Sequence, residues 1–157
     1  MSTGSAGESG PILFAYDGSD LAANAIAEAG RQLRPGRDAL VLTVWEPFNV
    51  GFLPVGGMGF DAAGADEVRK AAGETASHGA SLAQAAGFRA TGITAEAAPT
   101  SKGIIDAAER HDASLIVLGS HGRTGVTSLM VGSVAGAVAA HSRRSVLVVH
   151  RHRPADG

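Results

Sequence analysis

Four short apolar runs with little in-and-out alternation constrain this chain most. They are Ile12-Leu-Phe-Ala-Tyr16, Ala39-Leu-Val-Leu-Thr-Val-Trp45, Ser114 to Leu118, and Ser145-Val-Leu-Val-Val149. A strand that exposes one face to water alternates apolar and polar residues, whereas a strand covered on both faces does not. A fifth segment, Arg89 to Ala97, alternates enough to read as one more strand.

The segments between them carry helical spacing. Ala22, Ala25, Ile26, Ala29 and Leu33 recur on one face, with Ser19 as a candidate N-cap, Asp20 in the first turn and Pro35-Gly36 as the stop. Alanine-rich residues 65–86 predict a long helix with Gly87 as its C-cap. Pro99-Thr-Ser-Lys-Gly-Ile-Ile opens a third helix, with Thr100 or Ser101 as its cap and Ile104, Ile105 and Ala108 as its apolar stripe. A fourth runs from about Leu129 or Gly132 to His141. The order is then β-α-β-α-β-α-β-α-β. It predicts an α/β fold, a single doubly wound, Rossmann-like domain whose five-stranded parallel sheet carries helices on both faces.

The length of 157 residues suits one domain, expected over 11–150. The flanking segments 1–10 and 151–157 read as a disordered tail and a polar tail. A net charge of −2 gives no global field to recruit nucleic acid or an anionic membrane. No cysteine is present, which removes disulfide and thiol chemistry. Residues 1–10 lack the basic start and apolar core of a signal peptide, and no apolar run reaches the roughly 18 residues that a membrane helix requires. A soluble, cytoplasmic protein is expected.

In a doubly wound sheet, ligands sit beyond the carboxyl ends of the strands, where strand order reverses. Three of those ends carry Asp17, Val44-Trp45 and Gly119. After the fourth strand comes Gly119-Ser-His-Gly122-Arg123, and nine residues separate Gly122 from Gly132-Ser133, a spacing of G-x2-G-x9-G-S. This is neither a Walker loop nor a dinucleotide fingerprint, and it lacks the phosphate-binding lysine of the former. Its backbone donors, the Ser133 hydroxyl, a helix N-terminus and Arg123 are the parts of an anion cradle. The other reading is that these glycines only make turns and a C-cap. Asp17 has two readings as well: a carboxylate for ribose hydroxyls or Mg²⁺, or an Asx-turn residue capping the next helix.

The remaining candidates are weaker. His121 sits beside the loop without a G-x-S-x-G elbow around Ser120, so it is expected to bond a neighbouring backbone group. The histidines show no metal-ligand spacing; the tail His150-Arg-His152-Arg reads as solvated. Lys102 reads as an exposed lysine. Residues 46–63 hold Phe48, Phe52, Met58 and Phe60 among glycines and prolines, a loop that covers a ligand, meets a partner, or merely moves.

Taken together, Ile12-Leu-Phe-Ala-Tyr-Asp-Gly-Ser19, Leu115-Ile-Val-Leu-Gly-Ser-His-Gly-Arg-Thr-Gly125, Gly132-Ser-Val134 and Ser145-Val-Leu-Val-Val149 resemble the universal stress proteins, in order, over about residues 11–150. The glycine pattern is that of the family's ATP-binding branch. The resemblance implies an ATP-binding module, with or without Mg²⁺, that acts in stress response or signalling as a homodimer paired through strand 145–149. It implies that Asp17 contacts ribose or phosphate, that the Val44 backbone meets the adenine edge, and that Gly119, Gly122, Gly132, Ser133 and Val134 surround the phosphates. Ala15, Tyr16 and Leu118 would line the pocket. Tyr16 is bulkier than the small residue often found before the aspartate and would narrow it. No catalytic residue is implied. A slow ATPase, self-phosphorylation on Ser120, Ser128 or Ser133, and a nucleotide-free interaction factor are the alternatives.

Overall fold

A computed structural model of the chain describes residues 10–47, 62–121 and 131–151. The elements, in chain order, are β1 (Ile12–Ala15), α1 (Asp20–Gln32), β2 (Asp38–Trp45), α2 (Ala62–Ala85), β3 (Arg89–Glu96), α3 (Thr100–Arg110), β4 (Leu115–Gly119), α4 (Ser133–His141) and β5 (Ser145–Val149). The five strands form one sheet in the order β3-β2-β1-β4-β5, and every neighbouring pair is parallel. This is the doubly wound architecture expected from the apolar runs.

The chain walks outward from β1 to β2 to β3, then returns through α3 to place β4 on the other side of β1. With one hand of crossover, that reversal puts α1 and α2 on one face and α3 and α4 on the other. The core accordingly has two halves. Ile12, Phe14 and Tyr16 pack with α1 and α2 residues such as Ile26, Ala29, Ala80 and Ala83. Leu13, Leu42, Ile116 and Leu118 pack with Ile104, Ala107 and Val138 of α3 and α4. The central strand β1 is therefore buried from both sides, which is why its sequence does not alternate.

Local chemistry sets the element ends. Ser19 caps α1, its Oγ accepting the Ala22 N–H at 3.2 Å, as the sequence predicts. The start of α3 corrects the sequence expectation. Neither Thr100 nor Ser101 is the cap: Pro99 holds that position without a side-chain bond. Glu46, just past β2, accepts both the Thr100 N–H at 3.0 Å and the Thr100 hydroxyl at 2.8 Å. At the far end of α3, the Arg144 guanidinium reaches Glu109 at 2.8 Å and Asp112 at 2.7 Å, tying the entry of β5 to the helix. This pairing holds the Glu109 carboxyl below its ordinary range.

Candidate functional site

The sheet reverses between β1 and β4, and a cavity of about 270 Å³ opens at the carboxyl ends of these strands. That is near the lower end of the roughly 300–1,000 Å³ typical of small-molecule clefts. Leu42, Val44, Ile104 and Leu118 make apolar walls, and Asp17, Gly132, Ser133 and Val134 border it elsewhere. Of the residues singled out from the sequence, Ala15, Tyr16, Asp17, Val44, Leu118, Gly119, Gly132, Ser133 and Val134 all line this one cavity. They come from four separate stretches of chain that parallel strand order brings together. Gly122 and Arg123, with Ser128, lie outside the described residues, as do 1–9, 48–61 and 152–157.

The anion-binding parts are concentrated at α4. Its N-cap is Gly132, and no side chain caps the helix. The first-turn N–H groups of an α-helix have no acceptor within the helix, and they carry the positive end of its dipole. Ser133, Val134 and Ala135, which supply that turn, line the cavity. Gly132 is held there by backbone contact: its N–H donates to the Ser120 carbonyl at 2.7 Å. A Cβ on Gly132 would stand 2.8 Å from that same oxygen and 3.1 Å from the His121 Nδ1. Glycine is thus required for close approach of the chain to itself, before any ligand is considered.

His121 departs from expectation. It lines the cavity, but its Nε2 is buried without a hydrogen-bond partner among the described residues. Ser120 is only 3% exposed, with its N–H donating to the Val149 carbonyl at 2.9 Å. It nonetheless lines the cavity, beside His121 and Gly132.

Asp17 forms the Asx-turn that the sequence left as one of two readings, its Oδ1 accepting the Ser19 N–H at 2.9 Å. It is also the single carboxylate among the described lining residues. Thr43 Oγ1 donates to the Tyr16 carbonyl at 2.8 Å inside the core, fixing the backbone just ahead of it.

Tyr16 does not narrow the cavity as expected. Its ring belongs to the α1–α2 half of the core, where a Cβ on Gly79 would lie 2.6 Å from its Cδ1. Its hydroxyl bonds His78 Nδ1 at 2.8 Å. Burial, then the charges of Asp17 and Asp20, pushes the phenol above its ordinary 10.0. Lys102 is exposed and pairs with Asp106 one turn on at 2.6 Å, outside the cavity lining. Sequence reading missed Ala22, Leu42, Thr100, Ile104, Ser120, His121 and Ala135 as lining residues. Among the described residues, no three His, Cys, Asp or Glu gather as a metal site, and no helix is long and apolar enough to cross a membrane.

A strand-order reversal, a hollow at that point and an uncapped helix N-terminus behind it are common to many α/β proteins, and family membership decides between them. The universal stress protein family model matches residues 9–150. The chain belongs to the universal stress protein family. No curated protein sequence matches it. Among solved structures, it is similar to a hypothetical protein whose structure served to assign a biochemical function, at 22% identity and TM-score 0.74, covering 94% of this chain and 99% of that one. It is similar to the universal stress protein of Archaeoglobus fulgidus in complex with dAMP, at 25% identity and TM-score 0.58, covering 90% and 98%. A universal stress protein in complex with cAMP aligns at 22% identity and TM-score 0.60, covering 90% and 96%. These universal stress proteins share the chain's fold over nearly their full length.

Proposed function

We propose that this universal stress protein binds an adenine nucleotide in the cavity and works as a nucleotide-responsive, cytoplasmic module in stress response or signalling. The observation that carries the reading is the meeting of an apolar hollow with an uncapped α4 N-terminus in one cavity. The hollow suits a purine, and the helix end suits its phosphates. Two similar structures, of universal stress proteins, contain dAMP and cAMP, which supports the adenine nucleotide class.

The residues present fit that ligand. Ala15, Leu42, Val44, Ile104 and Leu118 would flank the base, and Asp17 would accept from ribose hydroxyls. The N–H groups of Ser133 and Val134 and the Ser133 hydroxyl would meet phosphate oxygens. Gly119, Gly122 and Arg123 would complete the phosphate end. ATP is the expected form, since several donors converge on one end. Any Mg²⁺ would be held chiefly by phosphate oxygens and water, with Asp17 the single carboxylate at hand. Binding without rapid turnover is the expected behaviour, because among the described lining residues only Asp17, assigned to the ribose, offers a carboxylate that could activate an attacking water. Denaturing the purified protein and identifying any released nucleotide by mass tests the reading. An adenine nucleotide is expected; a different released class would overturn it.

The homodimer reading rests on β5. It is an edge strand, and Val146, Leu147 and Val148 are half-buried in the single chain. Val131 and Val134, at the start of α4, are among its exposed large apolar residues. An apolar edge left open invites pairing with another strand. Val146→Lys or Val148→Glu is expected to shift sedimentation from dimer to monomer, and an unaltered mass would place the interface elsewhere.

A further inference from the structure

Thr100 is the first residue of α3 and lines the cavity. Four positions on, and so on the same face of the helix, Ile104 lines it too. Their neighbours are Val44 and Leu42 at the end of β2. The helix lies so close there that a Cβ on Gly103 would stand 2.9 Å from the Val44 side chain. This is the apolar end of the cavity, where the proposed function puts the base.

A threonine hydroxyl has one proton to donate and lone pairs to accept with. In this protein the proton is committed. Thr100 Oγ1 lies 2.8 Å from Glu46 Oε1, and the Thr100 N–H donates to that same oxygen at 3.0 Å. An ionised carboxylate can only accept, so the hydroxyl must be the donor in this pair. What Thr100 has left to offer the cavity is an acceptor. An acceptor fixed in an otherwise apolar wall favours a ligand that brings a donor. It penalises one that brings a second acceptor, because a buried oxygen then goes without its bond.

Resting on the reading of the cavity as an adenine-nucleotide site, we propose that the Glu46–Thr100 pair makes it selective for 6-amino purines. The exocyclic amino group of adenine donates to Thr100 Oγ1; the 6-carbonyl of hypoxanthine or guanine meets that oxygen with its own lone pairs. Glu46 acts as a positioning residue, setting which way the hydroxyl points, and Thr100 is the specificity-determining contact.

ATP and ITP carry the same ribose and triphosphate and differ at this one position of the base and its adjacent ring nitrogen. Calorimetric titration of the full chain should give ATP about a tenfold or greater advantage over ITP, the order expected for one buried hydrogen bond lost. In Thr100→Val, which keeps the shape without the oxygen, ATP affinity should fall until the two nucleotides differ by about threefold or less. Glu46→Ala separates this from a structural effect. It leaves the Thr100 oxygen in place but frees its proton, so ITP binding should improve while ATP binding falls. Thermal unfolding of both variants checks that the fold survives the lost cap. Equal binding of ATP and ITP by the unmodified protein would overturn the proposal, as would a Thr100→Val chain that keeps the full preference. If neither nucleotide binds, the nucleotide-site reading fails along with it, a result distinct from equal binding of both.

Discussion

Gly132→Val is expected to lower ATP affinity about a hundredfold or more while leaving a folded domain. The position offers no room for a side chain: a Cβ would stand 2.8 Å from the Ser120 carbonyl oxygen, a backbone atom, and 3.1 Å from His121 Nδ1. Ser120 cannot step back easily, because its own N–H is bonded to Val149 at 2.9 Å. The start of α4 must move instead, and it carries the first-turn N–H groups with it. Each charge-assisted bond is worth about 1.5–3 kcal/mol, so losing two accounts for a hundredfold, at about 1.4 kcal/mol per factor of ten. Overpacking itself costs about 1–3 kcal/mol, less than the typical 5–15 kcal/mol total stability of a folded domain. Circular dichroism should thus remain that of an α/β protein. Unchanged ATP affinity in a folded variant would mean that α4 does not hold the phosphates.

Phe14→Ala should have the opposite profile, a large loss of stability with the site intact. Phe14 is 1% exposed in the central strand, and its ring lies 5.3 Å from that of Phe88, centroid to centroid, at 60°. It belongs to the α1–α2 half of the core, on the sheet face away from α3 and α4, and it does not line the cavity. Removing a buried phenylalanine costs about 3–5 kcal/mol through lost burial and the void left behind. For a domain of this size each kcal/mol moves the midpoint by about 2–4 °C, so Tm should fall by roughly 6–20 °C. Below that new midpoint, ATP should bind as it does to the unmodified chain. A drop of only a degree or two would show that the two aromatic rings do not carry that half of the core.

The two profiles differ because one strand serves both faces, and the period of β1 already tells them apart. Ile12, Phe14 and Tyr16 alternate with Leu13 and Ala15, so the first set must face one helix layer and the second the other. The same alternation assigns the Tyr16 ring to the α1–α2 face, where its hydroxyl meets His78. Among the nine described lining residues singled out from the sequence, Asp17, Val44 and Gly119 are legible because strand ends in a doubly wound sheet converge by topology; Gly132 and Ser133 are legible from the glycine spacing before a helix, and Ala15, Tyr16, Leu118 and Val134 from the family resemblance alone. Ser19 was legible as a cap because its partner is three residues away.

What was not legible is contact between distant segments. The cap on α3 comes from Glu46, 54 residues earlier in the chain, and no local pattern near Thr100 announces it. Thr100 and Ile104 therefore read as cap and core, whereas the tertiary fold also makes them cavity wall. The role of Gly132 was read as room for a phosphate; the nearer constraint is the Ser120 carbonyl. No local pattern shows that the Ser120 N–H bonds the Val149 carbonyl of β5, which leaves Ser120 buried beside the cavity.

Calorimetric titration of the nucleotide-stripped full chain with ATP, beside a Gly132→Val control, tests the central claim most directly. A saturable heat corresponding to one nucleotide per chain, lost or greatly weakened in the variant, is the predicted result. An absence of binding by the unmodified, folded chain would contradict it, and so would equal binding by the two proteins.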